Sequence, residues 1–260
     1  MCMLRKYSIV IVGMLVGSGV FLLWSKQVLT PSIDETQPVP FVIEPLFLKS
    51  ETATVKEMKV SEPSLPIRVS IDEVPFTTQA PFGEWGDPLF QNGCEEASLI
   101  MAAHWISDTL LTQEKARQEI ITLSRFEEKK WGHAVDTSIR DTEKLFREYY
   151  HIASSEVIAD GTITDIQHII ANGKIVIVPA DGRKLQNPHF THPGPVTHML
   201  LIIGYDTEKK EFITNDPGTR YGQGYRYDEH ILYNAIRDYP TGDHLPIRGM
   251  EKTMLVVGKL

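Results

Sequence analysis

The stretch QNGCEEASLIMAAHW, residues 91–105, decides how the folded part of this chain is read. Gly93 closes a turn-rich loop, FGEWGDPLFQNG (82–93). From Cys94 to about Thr109, Ala97, Ile100, Met101, His104 and Trp105 recur on one helical face. A cysteine therefore stands in the first turn of a buried helix. There the unpaired backbone N–H groups and the macrodipole favour negative charge, the condition that turns a thiol into a nucleophilic thiolate. Glu95 and Glu96 follow in the same turn and are expected to be solvated acids that suit the dipole.

Working outward, IDEVPFTTQAP (71–81) reads as an extended entry to the loop. Downstream, apolar positions at helical spacing place further helices around Gln113–Ser124, Thr137–Tyr150 and Thr164–Ala171, the last opened by an Asp165-type cap. After NGK (172–174) the period changes. IVIVPA (175–180), THMLLIIGYD (197–206) and EFITNDPG (211–218) are β-branched, apolar runs, with TEKK (207–210) as the hairpin connection between the last two. GYRYDEH (224–230) supplies a fourth strand, HILYNAIRDY (230–239) a helix and KTMLVVGKL (252–260) a closing strand. Helices first and an antiparallel sheet afterwards describe an α+β domain over 71–260, the cysteine helix packed on the sheet. No internal repeat or low-complexity run interrupts it.

A catalytic cysteine needs a base, a group to orient the base and a donor for the oxyanion. His198 opens a strand whose following residues are apolar, a rigid place for a base. Asp216 ends the next strand, and a hairpin turning at 207–210 brings the two roughly level. Gln79 precedes the cysteine and offers a side-chain amide to an oxyanion beside the Cys94 N–H; Gln91 is the rival for that role. Bland readings stand beside these: a structural histidine, a turn-capping Asp in NDPG and a loop amide. A zinc site is the other constellation, from His189, His192 and His198 in PHFTHPGPVTH (188–198). The Pro-Gly-Pro run between them does not set ligands on one face, so no metal or cofactor is expected, and His189 and His192 are placed at the border of the cleft. Trp85 is a candidate for the pocket wall or for core packing.

The blocks VPFTTQAP, NGCEEASLIMAAHW, VTHMLLIIGYD and FITNDPG resemble, in order, those of the C39-like peptidases within the papain-like cysteine peptidases. The resemblance runs from about Val74 to the C-terminus. It implies the papain-like fold, with Cys94 as nucleophile, His198 as base, Asp216 as orienting residue and Gln79 as oxyanion donor. Two features depart from the pattern: the Gln79–Cys94 spacing exceeds that of papain, and glutamates follow the cysteine where many relatives have Gly-Pro. The family's processing members remove leader peptides inside transporters, and no transporter segment accompanies the domain here, so that substrate does not carry over.

The remainder of the chain concerns location. Of 260 residues, 42% are hydrophobic, ordinary for a protein that buries a core, and 26 Lys and Arg against 34 Asp and Glu give a net charge of −8. The first 26 residues hold Arg5, Lys6 and Lys26 and no acid, so the rest is more acidic still, a poor surface for nucleic acid or anionic lipid. Tyr7–Trp24 is uncharged and long enough to span a bilayer, with no small-residue cleavage site after it. Residues 1–27 are therefore expected to be a retained signal anchor with its N-terminus inside and the bulk of the chain outside. Gly13 and Gly17 form a GxxxG in that span, read either as a helix-pairing feature or as a chance pair. Residues 28–70, with Pro31, Pro38, Pro40, Pro45, Pro63 and Pro66, read as an extended tether. Cys94 is the only cysteine beyond Cys2, so it makes no bridge within the exported part.

The expectation is thus a membrane-anchored, extracytoplasmic cysteine peptidase acting on peptide or protein substrates. The alternatives are the same thiol chemistry on peptidoglycan or other amides, and a non-catalytic papain-like binding or scaffold module. The sequence does not give the oligomeric state.

Overall fold

The computed structural model describes residues 65–132 and 136–259. The expected anchor at 1–27 and nearly all of the expected tether at 28–70 lie outside the described residues, and no described helix is long and apolar enough to cross a membrane.

The elements run β1 (Arg68–Ser70), α1 (Pro88–Gln91), α2 (Cys94–Ile106), α3 (Gln113–Trp131), α4 (Ile139–Tyr150), β2 (Ser155–Ile158), α5 (Ile163–Ala171), β3 (Lys174–Ala180), β4 (His198–Asp206), β5 (Glu211–Asn215), β6 (Tyr225–Asp228), α6 (Glu229–Ala235) and β7 (Met254–Gly258). The strands form one antiparallel sheet in the order β2-β7-β3-β4-β5-β6, with β1 added to β4. β3 pairs with β4 over residues 198–202, and β1 takes positions 204–206 further along. The α+β architecture with helices first and an antiparallel sheet afterwards is therefore as the sequence led one to expect.

Local chemistry explains the helix ends. Thr112 and Ser138 cap α3 and α4, accepting from the backbone N–H of Lys115 and Asp141. At α5 the cap is Thr162, and Asp165 is the third residue of a reciprocal capping box, a correction to the expected Asp165 cap. α3 continues seven residues past the expected Ser124 and stops at Gly132 in the left-handed conformation.

Both faces of the sheet are covered, which is why its strands read as continuous apolar runs instead of alternating ones. Ile175 and Ile177 of β3 and Met199, Leu201 and Ile203 of β4 join the core built with α2 and α4. Their neighbours Val176, Val178, Leu200 and Ile202 join the core built with α5 and α6. α2 itself is buried from Cys94 to Trp105, so it is the central helix of its layer. Val69 and Ile71 pack on the second core, so the folded part begins a few residues before the expected boundary.

Candidate active site

The best-defined part of the site is the carboxylate at the end of β5. β4 and β5 pair with Asp206 opposite Glu211, but the register shifts between Ile202 and Gly204, so that Leu201 lies opposite Asn215. One extra residue on β4 changes every later pairing by one and exchanges which side chains share a face. Continued one residue beyond the ladder, this register sets Asp216 opposite Leu200, two residues from His198 and so on the same face. An unbulged hairpin would have put them on opposite faces. The expected levelness of His198 and Asp216 thus holds through a bulge that turn-counting did not foresee.

His198 Nε2 and Asp216 Oδ1 are 2.8 Å apart, with both side chains buried. That bond leaves Nδ1 as the ring nitrogen available to a thiol. Asp216 also accepts from the Gly218 N–H at 2.9 Å, the Tyr227 hydroxyl at 2.5 Å and, more distantly, Asn187 Nδ2 at 3.4 Å. Asn187 in turn donates to the Tyr227 oxygen at 2.7 Å, which fixes the direction of the Tyr227 hydroxyl. Burial alone would raise the Asp216 carboxyl, but the histidine and these donors overcome it and hold the group below the ordinary aspartate value. Tyr227 is correspondingly pushed up, by burial and by the Asp216 charge.

Backbone space matters here at two positions. A Cβ on Gly218 would stand 2.8 Å from His198 Cε1, and one on Gly222 would collide with the Asp216 carbonyl oxygen. Glycine is required for the turn to close over the histidine. Phe190 walls the other side of the imidazole, edge to face at 5.3 Å. Tyr227, Asn187 and Phe190 were not among the sequence candidates. GYRYDEH and NPHF show the residues but not that a neighbouring strand and a loop converge on Asp216.

Cys94 begins α2, with Gly93 as an N-cap that offers no side-chain acceptor to the Cys94 N–H. The thiol is buried, and it donates to Glu95 Oε2 at 2.9 Å. Among the described residues no hydrogen bond joins Cys94 to His198. Alternation along β4 sets Met199, in the core that also holds Cys94, on one face and His198 on the other. One carboxylate bears on both segments. Asp136, whose charge bears on the thiol, accepts from Thr197 Oγ1 at 2.7 Å, one residue before His198.

Burial raises the thiol well above its usual value, and the Glu95 charge and hydrogen bond raise it further, with Asp136 and Glu96 adding to the effect. The sequence placed Glu95 and Glu96 in solvent. The structure corrects this, because α2 is enclosed on all sides and both carboxyls are buried at 1% exposure. Glu95 Oε1 accepts from the Tyr239 hydroxyl at 2.8 Å, and Glu96 Oε1 from Ser124 Oγ at 2.5 Å. Glu127 of α3 is buried in the same layer, and among the described residues neither of its carboxyl oxygens has a hydrogen-bond partner. Desolvation first, then the charges of Asp136 and Glu96, lift Glu95 to about 8. Desolvation and the charges of Glu96 and Glu95 lift Glu127 higher still.

Gln79 adjoins the loop before the cysteine, but not as a free donor. Its carboxamide nitrogen donates to the carbonyls of Phe90 at 3.1 Å and Gln91 at 2.6 Å, and its backbone N–H donates to Pro217 O at 3.0 Å. Gln79 thereby ties the loop before Cys94 to the turn after Asp216. An oxyanion role requires one amide proton to leave a carbonyl. The rival Gln91 is exposed and contributes only its carbonyl to this arrangement. His189 is exposed and tilts on Tyr221 at 4.5 Å, while Trp85 packs against the small core around Phe90, Ile100 and Ile120. Among the described residues no group of three His, Cys, Asp or Glu side chains is placed to hold a metal.

Comparison with known proteins places this geometry in context. No curated protein matches the chain. Among solved structures it is similar to a C39-like peptidase from Bacillus anthracis, at 14% identity over 74% of this chain and 98% of that one, with a TM-score of 0.49. It is also similar to xylellain, a cysteine protease from Xylella fastidiosa, at 14% identity over 76% and 87% of the two chains, with a TM-score of 0.33. Residues 71–240, well over half of the chain, match the family described as Peptidase_C39 like, and the chain belongs to that family of cysteine peptidases.

Proposed function

We propose that this chain is a membrane-anchored, extracytoplasmic peptidase in which Cys94, His198 and Asp216 form the catalytic triad. The observation that carries the reading is the buried His198–Asp216 pair, its carboxylate held ionised by Tyr227 and Gly218 at the end of a strand packed beneath the cysteine helix. An anion so fixed selects one imidazole tautomer and stabilises the imidazolium that forms when the base takes a proton.

The steps follow from these groups. The Cys94 thiol turns from Glu95 to His198 Nδ1 and gives up its proton, and the thiolate attacks the carbonyl of a peptide bond. The oxyanion sits at the free Cys94 N–H, with the Gln79 amide as second donor once it is released from Phe90 or Gln91. His198 returns the proton to the leaving amine, and water, deprotonated by the same base, hydrolyses the thioester. No metal or cofactor enters. The apolar, uncharged run Tyr7–Trp24 supports the anchor, and Arg5, Lys6 and the terminal amine before it, against Lys26 and an acidic continuation after it, support the outward placement.

The test is cleavage by the full-length chain in detergent of a proteome-derived peptide mixture, with new termini read by mass spectrometry. New termini that disappear with Cys94→Ala are expected. Cleavage of muropeptides alone would move the substrate to peptidoglycan amides, and binding of peptides with no new termini would favour a scaffold module.

A further inference from the structure

The proposed mechanism leaves one buried group in contact with the reacting sulfur unexplained. Glu95 Oε2 lies 2.9 Å from Cys94 Sγ, while its other oxygen is held by the Tyr239 hydroxyl at 2.8 Å and approached by the Thr137 N–H at 3.5 Å. The carboxyl is therefore fixed at both ends, and its orientation toward the sulfur is set by two elements distant in sequence. A carboxyl so placed has two opposite effects. When ionised it only accepts, so it retains the S–H proton and repels a thiolate. When protonated it has an O–H to donate, and the hydrogen bond reverses as the sulfur becomes an anion.

We propose that Glu95 is a proton-controlled partner of the nucleophile, supporting the Cys94 thiolate as a carboxylic acid and locking the thiol as a carboxylate, so that the enzyme carries its own upper pH limit. The inference rests on the reading of Cys94 as the nucleophile. Protons balance in the acid form: the sulfur gives its proton to His198, Glu95 keeps its own, and the Glu95 O–H points to the new anion. In the base form the same transfer would place two negative charges in contact, which the buried site opposes.

The groups around Glu95 favour the acid form across the neutral range. From its own helix it faces Cys94 and Glu96; from α3, Glu127; from the segment before α4, Asp136; from the segment after α6, Tyr239. All the carboxyls among them are negative or neutral. Desolvation, Asp136 and Glu96 hold the Glu95 proton to about pH 8, while the Tyr239 and Cys94 hydrogen bonds pull the other way. Asp136, shared with Thr197 beside His198, belongs to the same set.

Alkylation of the full-length chain by iodoacetamide reads this directly, with the adduct mapped to Cys94 so that Cys2 is scored separately. Wild-type and Glu95→Gln rates are expected to run together at acid and neutral pH and to part as Glu95 ionises, the wild type falling roughly tenfold below the variant, one unit of thiol pKa being a factor of ten. Glu95→Gln keeps an N–H donor and cannot ionise, so its rate exceeds that of wild type about tenfold on the alkaline side. Tyr239→Phe removes a donor that favours the carboxylate, so the fall moves to higher pH. A merely structural Glu95 would alter yield or stability and leave the shape of the profile unchanged. Superimposable wild-type and Glu95→Gln profiles overturn the proposal, and if Glu95→Gln does not fold, a Tyr239→Phe profile that fails to move overturns it. Labelling of wild-type Cys94 only after denaturation would instead defeat the nucleophile reading. Native labelling that depends on His198 but not on Glu95 would defeat this inference alone.

Discussion

Two buried carboxyl regions flank the helix that begins at Cys94, and they carry opposite charge states. At the end of β5, Asp216 is fully buried yet accepts from His198, Tyr227 and Gly218, and its carboxyl is held below the ordinary range. Under α2, Glu127 is equally buried with no hydrogen-bond partner among the described residues, and its carboxyl is pushed far up. Glu95 lies between these extremes, with two well-placed donors and a value near neutrality, about 8. Burial is common to all three, so it does not decide the charge. The number and type of donors aimed at each oxygen decide it. The protein thus builds one carboxyl that favours ionisation and others that favour the proton.

The largest way to break this contrast is at the ionised end. Cys94→Ala or His198→Ala should reduce peptide turnover by about a thousandfold or more, and Asp216→Asn by about a hundredfold to ten-thousandfold in kcat/KM, since each removes a member of a unit that works together. Steady-state kinetics on a cleaved peptide checks both. A hydrogen bond to a charged group contributes about 1.5–3 kcal/mol, so Tyr227→Phe is expected to lower kcat/KM about tenfold or more. It should also raise the acid limb of the pH profile, because Asp216 loses a donor that favours its ionised form. An unchanged acid limb would show that Tyr227 packs beside Asp216 without acting on it.

The smallest effect lies at the neutral end and is read in stability. The folded-state value of Glu127 is raised above its unfolded one, so the folded protein holds the extra proton. Stability is then greatest below the unfolded carboxyl value and is lost as pH rises from there toward the folded value, at up to about 1.4 kcal/mol per pH unit for one group. Glu127→Gln should flatten that slope and stabilise the protein at pH 8 relative to wild type. Urea unfolding at pH 5 and pH 8 checks it. A wild type that grows more stable with rising pH would contradict the account of this layer.

The same contrast marks how much could be read in the sequence. Helix starts, the main strands and the hairpin at 207–210 were legible because capping residues, apolar runs and a polar connection are local signals. The partnership of His198 and Asp216 was legible from hairpin counting, but the bulge near Ile203 that sets them on one face was not, since no single residue type announces it. β1 and β2 were missed because RVS and SEVI are too short to show a period and are strands only by pairing with β4 and β7. Glu95 and Glu96 were placed in solvent by the general behaviour of acids in a first helical turn. Their burial depends on α3 and the segment after α6 closing over α2, which is information spread over more than a hundred residues. Gln79 was read as a donor to an oxyanion, and the two carbonyls that take its protons lie in a loop whose path local sequence does not determine.

The claim on which the account depends is that Cys94 is the thiol activated by His198. Its most direct measurement is the mass of the native full-length chain after brief treatment at neutral pH with an epoxide-type thiol inhibitor, with and without the His198→Ala substitution. The account predicts a single adduct mapped to Cys94 in the wild-type chain and at least a tenfold loss of its rate of formation in His198→Ala, equivalent to one unit in effective thiol pKa or more. Equal labelling of the two proteins, or labelling of Cys94 only after denaturation, would contradict it.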